Sequence, residues 1–287
     1  MRLAVHGRVR FDTDRPRLET VLEILRSKFE SVKYTSGLVG MRGVESKLII
    51  ETPKLNSADF DLLISIGGDG TILESVRLVG ASGIPILGIN AGRLGFLAST
   101  PVEELDAALS RLLAGDYSIE ERTLVRAETD QDFFGNDNYA LNEVSVHKSA
   151  TSSMVIVNAY LDDFFLNTYW ADGLIISTPT GSTGYSLSTG GPIIAPGTSN
   201  FIITPIAPHN LNVRPLVISD NRRVTLKIGG TDPNFMMSLD SQSKVLNSDV
   251  ELRISRADFT VGLVRFGPND YFDTLRSKLM WGIDRRN

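Results

Sequence analysis

The stretch Ile64–Leu73, ISIGGDGTIL, sets one carboxylate, Asp69, among three glycines where an apolar run gives way to a helical pattern. Glycines let backbone amides approach a phosphate closely, and a helix start favours an anion. Gly67, Gly68 and Thr71 read as a phosphate loop, with the amides of Gly68, Gly70 and Thr71 aimed at the anion. Phosphate repels a carboxylate, so Asp69 needs a further reason to be there. It can take a proton from an attacking hydroxyl, or help hold a metal ion that offsets the charge. The competing reading is that Asp69 caps the helix. No lysine stands in the GxxxxGK[ST] position, and Leu73 stands where a GxGxxG loop has its third glycine, so neither of those phosphate motifs is present.

Two further stretches carry chemistry. From Asp172 to Pro192, DGLIISTPTGSTGYSLSTGGP, a strand enters a run of hydroxyls and glycines with one tyrosine. Hydroxyls beside exposed amides suit a ligand rich in hydroxyl and phosphate oxygens, and Tyr185 offers a ring face or a phenol. The competing reading is a flexible Ser/Gly linker, against which stand the stiff Pro179 and Tyr185. In LNEV, the adjacent amide and carboxylate of Asn142 and Glu143 can donate to and accept from a ribose diol; a solvated strand-end pair is the alternative. His6, His147 and His209 lack metal-ligand spacing and read as structural. There is no GxSxG elbow for serine-hydrolase chemistry.

The elements that must position these residues change character along the chain. The 287 residues are 42% hydrophobic and 22% charged, as in globular proteins. A net charge of −5 argues against general nucleic-acid binding. The absence of cysteine excludes disulfides, zinc–thiolate sites and iron–sulfur clusters and suits a reducing compartment, so a cytoplasmic location is expected. No apolar run reaches the roughly 18 residues of a membrane span. MRLAVHGRVR reads as a first strand, not a signal peptide. Up to Gly115 strand and helix signals alternate: strands at Leu3–Val5, Asp61–Ile66 and Ile84–Ile89, and helices at Pro16–Phe29, Thr71–Val79 and Pro101–Leu113. This βαβα order predicts a three-layer α/β domain over residues 1–118. Residues 119–269 hold short β-branched and aromatic segments broken by Gly, Asn, Asp and Pro, which predicts a mainly-β, sandwich-like domain. The tail from Tyr271 to Trp281 reads as a helix, and a C-terminal helix over 270–287 is expected to pack back on the first domain.

Taken in order and at these separations, IGGDGT, LNEVSV and DGLIISTPTGSTGYSLSTGGP resemble the NAD kinase family, whose members use ATP or polyphosphate. NAGRLGFL at 90–97, TPIAPHNLNVRPLV at 204–217 and SLDSQ at 238–242 are similar to further stretches of that family. The resemblance implies a Rossmann-like N-terminal domain and a β-sandwich C-terminal domain. It implies transfer of the γ-phosphoryl group of ATP to the 2′-hydroxyl of the adenosine ribose of NAD, giving NADP. It makes Asp69 the general base, contacting the dinucleotide together with Gly70. Asn142 and Glu143 then lie at the ribose and Asp172 near the nicotinamide. Thr183, Gly184, Tyr185, Ser186, Leu187 and Ser188 line the adenine and ribose pocket, Gln242 completes it, and Phe96 faces the adenine. A divalent cation, Mg²⁺, arrives with ATP, and the metal-contacting residues are left open. NAD and ATP are the partners, without nucleic acid or membrane, and the assembly is a homodimer or homotetramer. Gly184 replaces an alanine common in the family, and Trp170 stands where some bacterial members carry a basic residue. A lipid kinase and a non-catalytic dinucleotide sensor are the rival readings.

Overall fold

A computed structural model describes residues 1–9, 14–92, 95–149, 154–267 and 271–280. The chain divides into two compact units, Met1–Glu121 with Val261–Asn287, and Arg122–Thr260.

In the first unit, strands β1 (Arg2–Gly7), β2 (Ser31–Tyr34), β3 (Leu62–Gly67) and β4 (Ile86–Asn90) lie parallel in the order β2-β1-β3-β4. Leu263, near the end of the long strand Glu251–Arg265, runs parallel beside Ile86 of β4. β3 is buried at five of its six positions, as befits a parallel strand covered on both faces. Its alternate residues explain why. Ile64 and Ile66 join one apolar cluster with Leu18, Val21, Leu22 and Leu25 of helix α1 (Arg15–Lys28) and Leu105, Leu109 and Leu112 of helix α3 (Leu105–Leu113). On the other face Ser65 Oγ accepts a 2.8 Å bond from Ser75 of helix α2 (Asp69–Val79). These are the three layers expected from the βαβα pattern.

Some boundaries differ from expectation. The helix expected from Pro101 begins at Leu105, because Val102–Glu104 forms a 3₁₀ turn first. Strand β2, SVKY, has only four residues and was too short to show a period. The C-terminal helix spans Tyr271–Leu279 and buries Leu275. The remainder of the expected helix, residue 270 and residues 281–287 with Trp281, lies outside the described residues. Among the described residues no helix is long and apolar enough to cross a membrane.

The second unit is a sandwich of two antiparallel sheets. One has the order Leu216–Ser219, Asn200–Ile206, Gly173–Ser177, Glu143–Lys148, Asn234–Leu239, Gln242–Asn247. The other runs from Phe164–Ala171 through Val155–Leu161 and Val224–Gly230 to residues 251–254. Val144, Val146, Leu174, Ile176, Phe235 and Met237 of the first sheet share one core with Val157, Ala159, Val224, Leu226, Leu252 and Ile254 of the second. The segments VELRIS and FTVGLVRF are parts of a single fifteen-residue strand. Phe164–Ala171, Asn234–Leu239 and Gln242–Asn247 are additional strands; the polar residues set among their apolar ones mask the β pattern.

Candidate active site

In the first unit Asp69 is the first residue of α2, after Gly68, and its carboxylate does not cap that helix. Instead it accepts three backbone N–H groups from the NAGRLGFL loop and beyond: Phe96 to Oδ2 at 2.9 Å, Leu97 to Oδ1 at 2.9 Å and Ala98 to Oδ1 at 3.2 Å. The capping alternative is therefore not what the fold uses. The loop can come this close because residue 95 is glycine; a Cβ there would lie 2.0 Å from Asp69 Oδ1. Gly67 has a similar reason, since its Cβ would lie 2.1 Å from Thr71 Oγ1. A carboxylate has about four acceptor positions. Three are taken, so the group is held in one orientation with capacity left for an incoming hydroxyl.

Arg8, Gly67, Gly68, Thr71 and Gly92 line a pocket at the carboxyl ends of β1, β3 and β4, where open α/β sheets bind ligands. The expectation for the Thr71 amide needs correction: it donates to the Gly68 carbonyl at 3.0 Å, because the helix closes its first turn there. Arg8 is the basic side chain of the pocket. Its Nε lies 3.2 Å from Glu74 Oε2, and Nε2 of the buried His6 lies 3.2 Å from the same oxygen. His6 Nδ1 meets Thr35 Oγ1 at 2.9 Å. Burial lowers the His6 pKa despite Glu74 beside it. Phe96 turns its ring toward the C-terminal helix, 6.4 Å from the Tyr271 ring and with Lys278 Nζ 5.1 Å above it.

In the second unit the Asn142–Glu143 pair sits at a strand start. Leu141, Asn142 and Glu143 donate their N–H groups to Asp240 at 2.8, 2.9 and 3.1 Å. On the opposite side Thr178 Oγ1 donates to the Leu141 carbonyl at 2.6 Å, and the Thr178 N–H to the Asn142 carbonyl at 2.9 Å. Gly181 packs so tightly on this backbone that a Cβ would lie 2.1 Å from the Asn142 oxygen. Glu143 Oε2 is buried without a hydrogen-bond partner among the described residues. Burial, with the charge of Asp240 beside it, pushes the Glu143 carboxyl up to about 8. Burial also pushes Asp240 up to about 6, against the pull of its three amide bonds. A Cβ on Gly184 would come within 3.2 Å of Glu143 Oε2, so the glycine leaves room beside this carboxyl.

The hydroxyl-rich run is not a linker: Thr180–Thr183 and Tyr185–Ser188 are helical turns, and Thr180, Gly181, Ser182 and Ser186 are buried. Several of its hydroxyls bond within the run or to the strand beside it. Ser182 and Thr183 donate to the carbonyls of Pro179 and Thr180, and Ser186 Oγ meets Thr204 Oγ1 at 3.0 Å. A buried turn must satisfy its own backbone, and these residues do so. Leu187 is half-buried, while Tyr185 and Ser188 are exposed. The Tyr185 ring stacks on His147 with centroids 5.8 Å apart. Asp172 pairs with Lys148 at 2.7 Å. Gln242 keeps a buried Nε2 without a partner among the described residues. Asp240, Lys148, Arg8 and Glu74 belong to these surroundings, yet sequence reasoning gave them no role, and it read His147 only as structural. Only SLDSQ carried a signal for Asp240.

Residues 20–117 match the ATP-NAD kinase N-terminal domain and residues 141–266 the ATP-NAD kinase C-terminal domain. The chain belongs to the NAD kinase family. An NAD kinase of Cytophaga hutchinsonii is 45% identical over the full length of both chains, and one of Flavobacterium johnsoniae 42% identical, also over the full length of both. The activity is that of the family, ATP + NAD → ADP + NADP. Among solved structures, an NAD kinase from Archaeoglobus fulgidus in complex with ATP is 29% identical, with a TM-score of 0.73 over 98% of this chain and 99% of that one. Yeast NADH kinase complexed with NADH, at 22% identity, has the same fold, with a TM-score of 0.84 over 99% of this chain and 89% of that one.

Proposed function

We propose that Asp69 is the general base of the transfer and that Asn142 and Glu143 hold the acceptor ribose. The 2′-hydroxyl attacks the γ-phosphorus, its proton passes to Asp69, and the bond from that phosphorus to the bridging oxygen breaks to release ADP. The observation that carries this reading is the Asp69 carboxylate itself, fixed by three amides and not used as a helix cap. Positioning and charge stabilisation supply most of the catalysis in phosphoryl transfer. Arg8 and the Gly67–Gly68 turn would receive phosphate in the first unit. In the second, the buried, unpartnered Glu143 oxygen and the Gln242 amide are groups that a polar ligand would satisfy. In the second unit Asp172, Gly184 and Tyr185 would complete the dinucleotide-binding surface; in the first, Gly70 and Phe96 would accompany Asp69.

Among the described residues there is no group of three or more His, Asp or Glu side chains arranged to hold a metal. Mg²⁺ would arrive on the ATP phosphates, the usual way this ion binds in kinases. When bound, the ion would offset the repulsion between Asp69 and the phosphates. We place the enzyme in the cytoplasm as a homodimer or homotetramer. Phe164, Phe165 and Trp170 support self-association: they stand exposed on the outermost strand of their sheet, an edge that proteins normally cover. Light scattering on the purified protein tests this; a monomer at all concentrations overturns it. The catalytic reading is tested by mixing protein with NAD, ATP and Mg²⁺ and reading NADP with an NADP-specific dehydrogenase. NADP formed by the wild type and lost in Asp69→Asn supports the base; an Asn variant as fast as the wild type excludes it.

A further inference from the structure

We propose that Asp240 is a positioning residue for NAD binding, whose carboxylate fixes the backbone that presents Asn142 and Glu143; this rests on the reading that the pair holds the ribose. Asp240 opens the two-residue turn between strands Asn234–Leu239 and Gln242–Asn247, with a φ of 49°. A glycine or asparagine meets that backbone requirement equally well, so the turn does not call for a carboxylate. The side chain is occupied elsewhere. Its two oxygens gather the amides of three successive residues, 141, 142 and 143, and its own N–H donates to the Glu143 carbonyl at 3.1 Å. These amides fall where the chain bends between Tyr139–Ala140 and Glu143–Lys148. With Thr178 holding the carbonyls of Leu141 and Asn142 from the other side, the backbone of the pair is clamped along both edges.

Stability alone would not select this arrangement. Asp240 sets a second carboxylate against Glu143, and its charge adds to the effect of burial in raising Glu143. Two carboxyls in one buried place cannot both ionise freely, so Glu143 is held in its protonated form, and a neutral residue at 240 would ease that constraint. The return is a pair with a single backbone position. Preorganisation of this kind lowers the ordering cost of binding a ligand.

The test compares Asp240→Asn and Asp240→Gly in the full chain. Asn keeps the turn and can still accept two of the three amides; Gly keeps the turn and accepts none. The KM for NAD should rise about tenfold in Asn, roughly the worth of one hydrogen bond, and further in Gly. The KM for ATP and the kcat should stay within about threefold, a split that a general loss of structure does not give. Should Gly fail to fold, the Asn variant alone decides. An unchanged KM for NAD, or a kcat that falls with that KM unchanged, overturns the role of Asp240. Asn142→Ala and Glu143→Gln run alongside separate the two readings. If they raise the KM for NAD and the Asp240 variants do not, only the positioning role fails. If none of the four raises it, the ribose assignment has failed and the positioning role with it.

Discussion

Asp69 in the first unit and Asp240 in the second are built alike: each is a carboxylate accepting three backbone N–H groups from a neighbouring segment. They differ in how they arise. Asp69 opens a helix after two glycines, and its partners are the amides of a glycine-containing loop. Asp240 opens a hairpin turn, and its partners belong to a strand start that carries a second acid, Glu143. The same hydrogen bonds therefore fix the carboxylate proposed as the base in one place and the backbone of the Asn142–Glu143 pair in the other. A carboxylate held by three amides is a positioning device in both units; what it faces decides what it does.

Breaking the Asp69 side should have the largest effect. Asp69→Asn should lower kcat by about 10²–10⁴-fold, the range for losing a general base. The same change turns an NH₂ toward one of the three donor amides, so the melting temperature should also fall, by the equivalent of about 1–3 kcal/mol. Calorimetry beside the rate assay separates the two losses. Gly95→Ala comes next. Its methyl would lie 2.0 Å from Asp69 Oδ1, and a misplacement on the order of 1 Å can cost about 10²-fold in rate. A rate within twofold of the wild type would show that the loop yields and that its close approach is not needed.

The Glu143 side sharpens the comparison through pH. The folded protein holds the Glu143 proton up to about pH 8, against 4.5 for an ordinary glutamate. The stability linked to that proton is complete at acid pH and is lost as pH rises from the ordinary value to the raised one. Glu143→Gln should therefore match the wild type near pH 5 and exceed it by about 1–3 kcal/mol near pH 9, while its KM for NAD rises. Urea midpoints at the two pH values check this; equal stability of the two proteins near pH 9 would show that the carboxyl ionises freely. The smallest effect belongs to Ser186→Ala. Its hydroxyl is bonded to Thr204 in the interior, so stability should drop by about 1 kcal/mol with turnover nearly unchanged. A large fall in turnover would place that hydroxyl on the ligand.

Legibility followed the physics of each element. The covered parallel strands β3 and β4 were plain because burial on both faces makes them apolar at nearly every position. Gln242–Asn247 was missed because an edge strand needs few apolar residues, and Phe164–Ala171 because its apolar residues fall on exposed and buried positions alike and show no alternation. The three chemistry-bearing stretches could be picked out because each groups carboxylate, amide or hydroxyl side chains directly beside an apolar strand. The pairing of Lys148 with Asp172, by contrast, joins residues 24 apart in the chain, and no local pattern signals it.

By itself the sequence determined the family and the change from alternating helices and strands to mainly strands, and it singled out Asp69, Asn142 and Glu143 as candidates, since periodicity and residue chemistry are local properties. Only the tertiary structure decided what holds them. Asp69 meets residues 27 to 29 positions away and Asp240 meets residues 97 to 99 positions away. A carboxylate finds such amides only after the sheets are registered, because a hydrogen bond depends on distance and angle in space and not on separation along the chain.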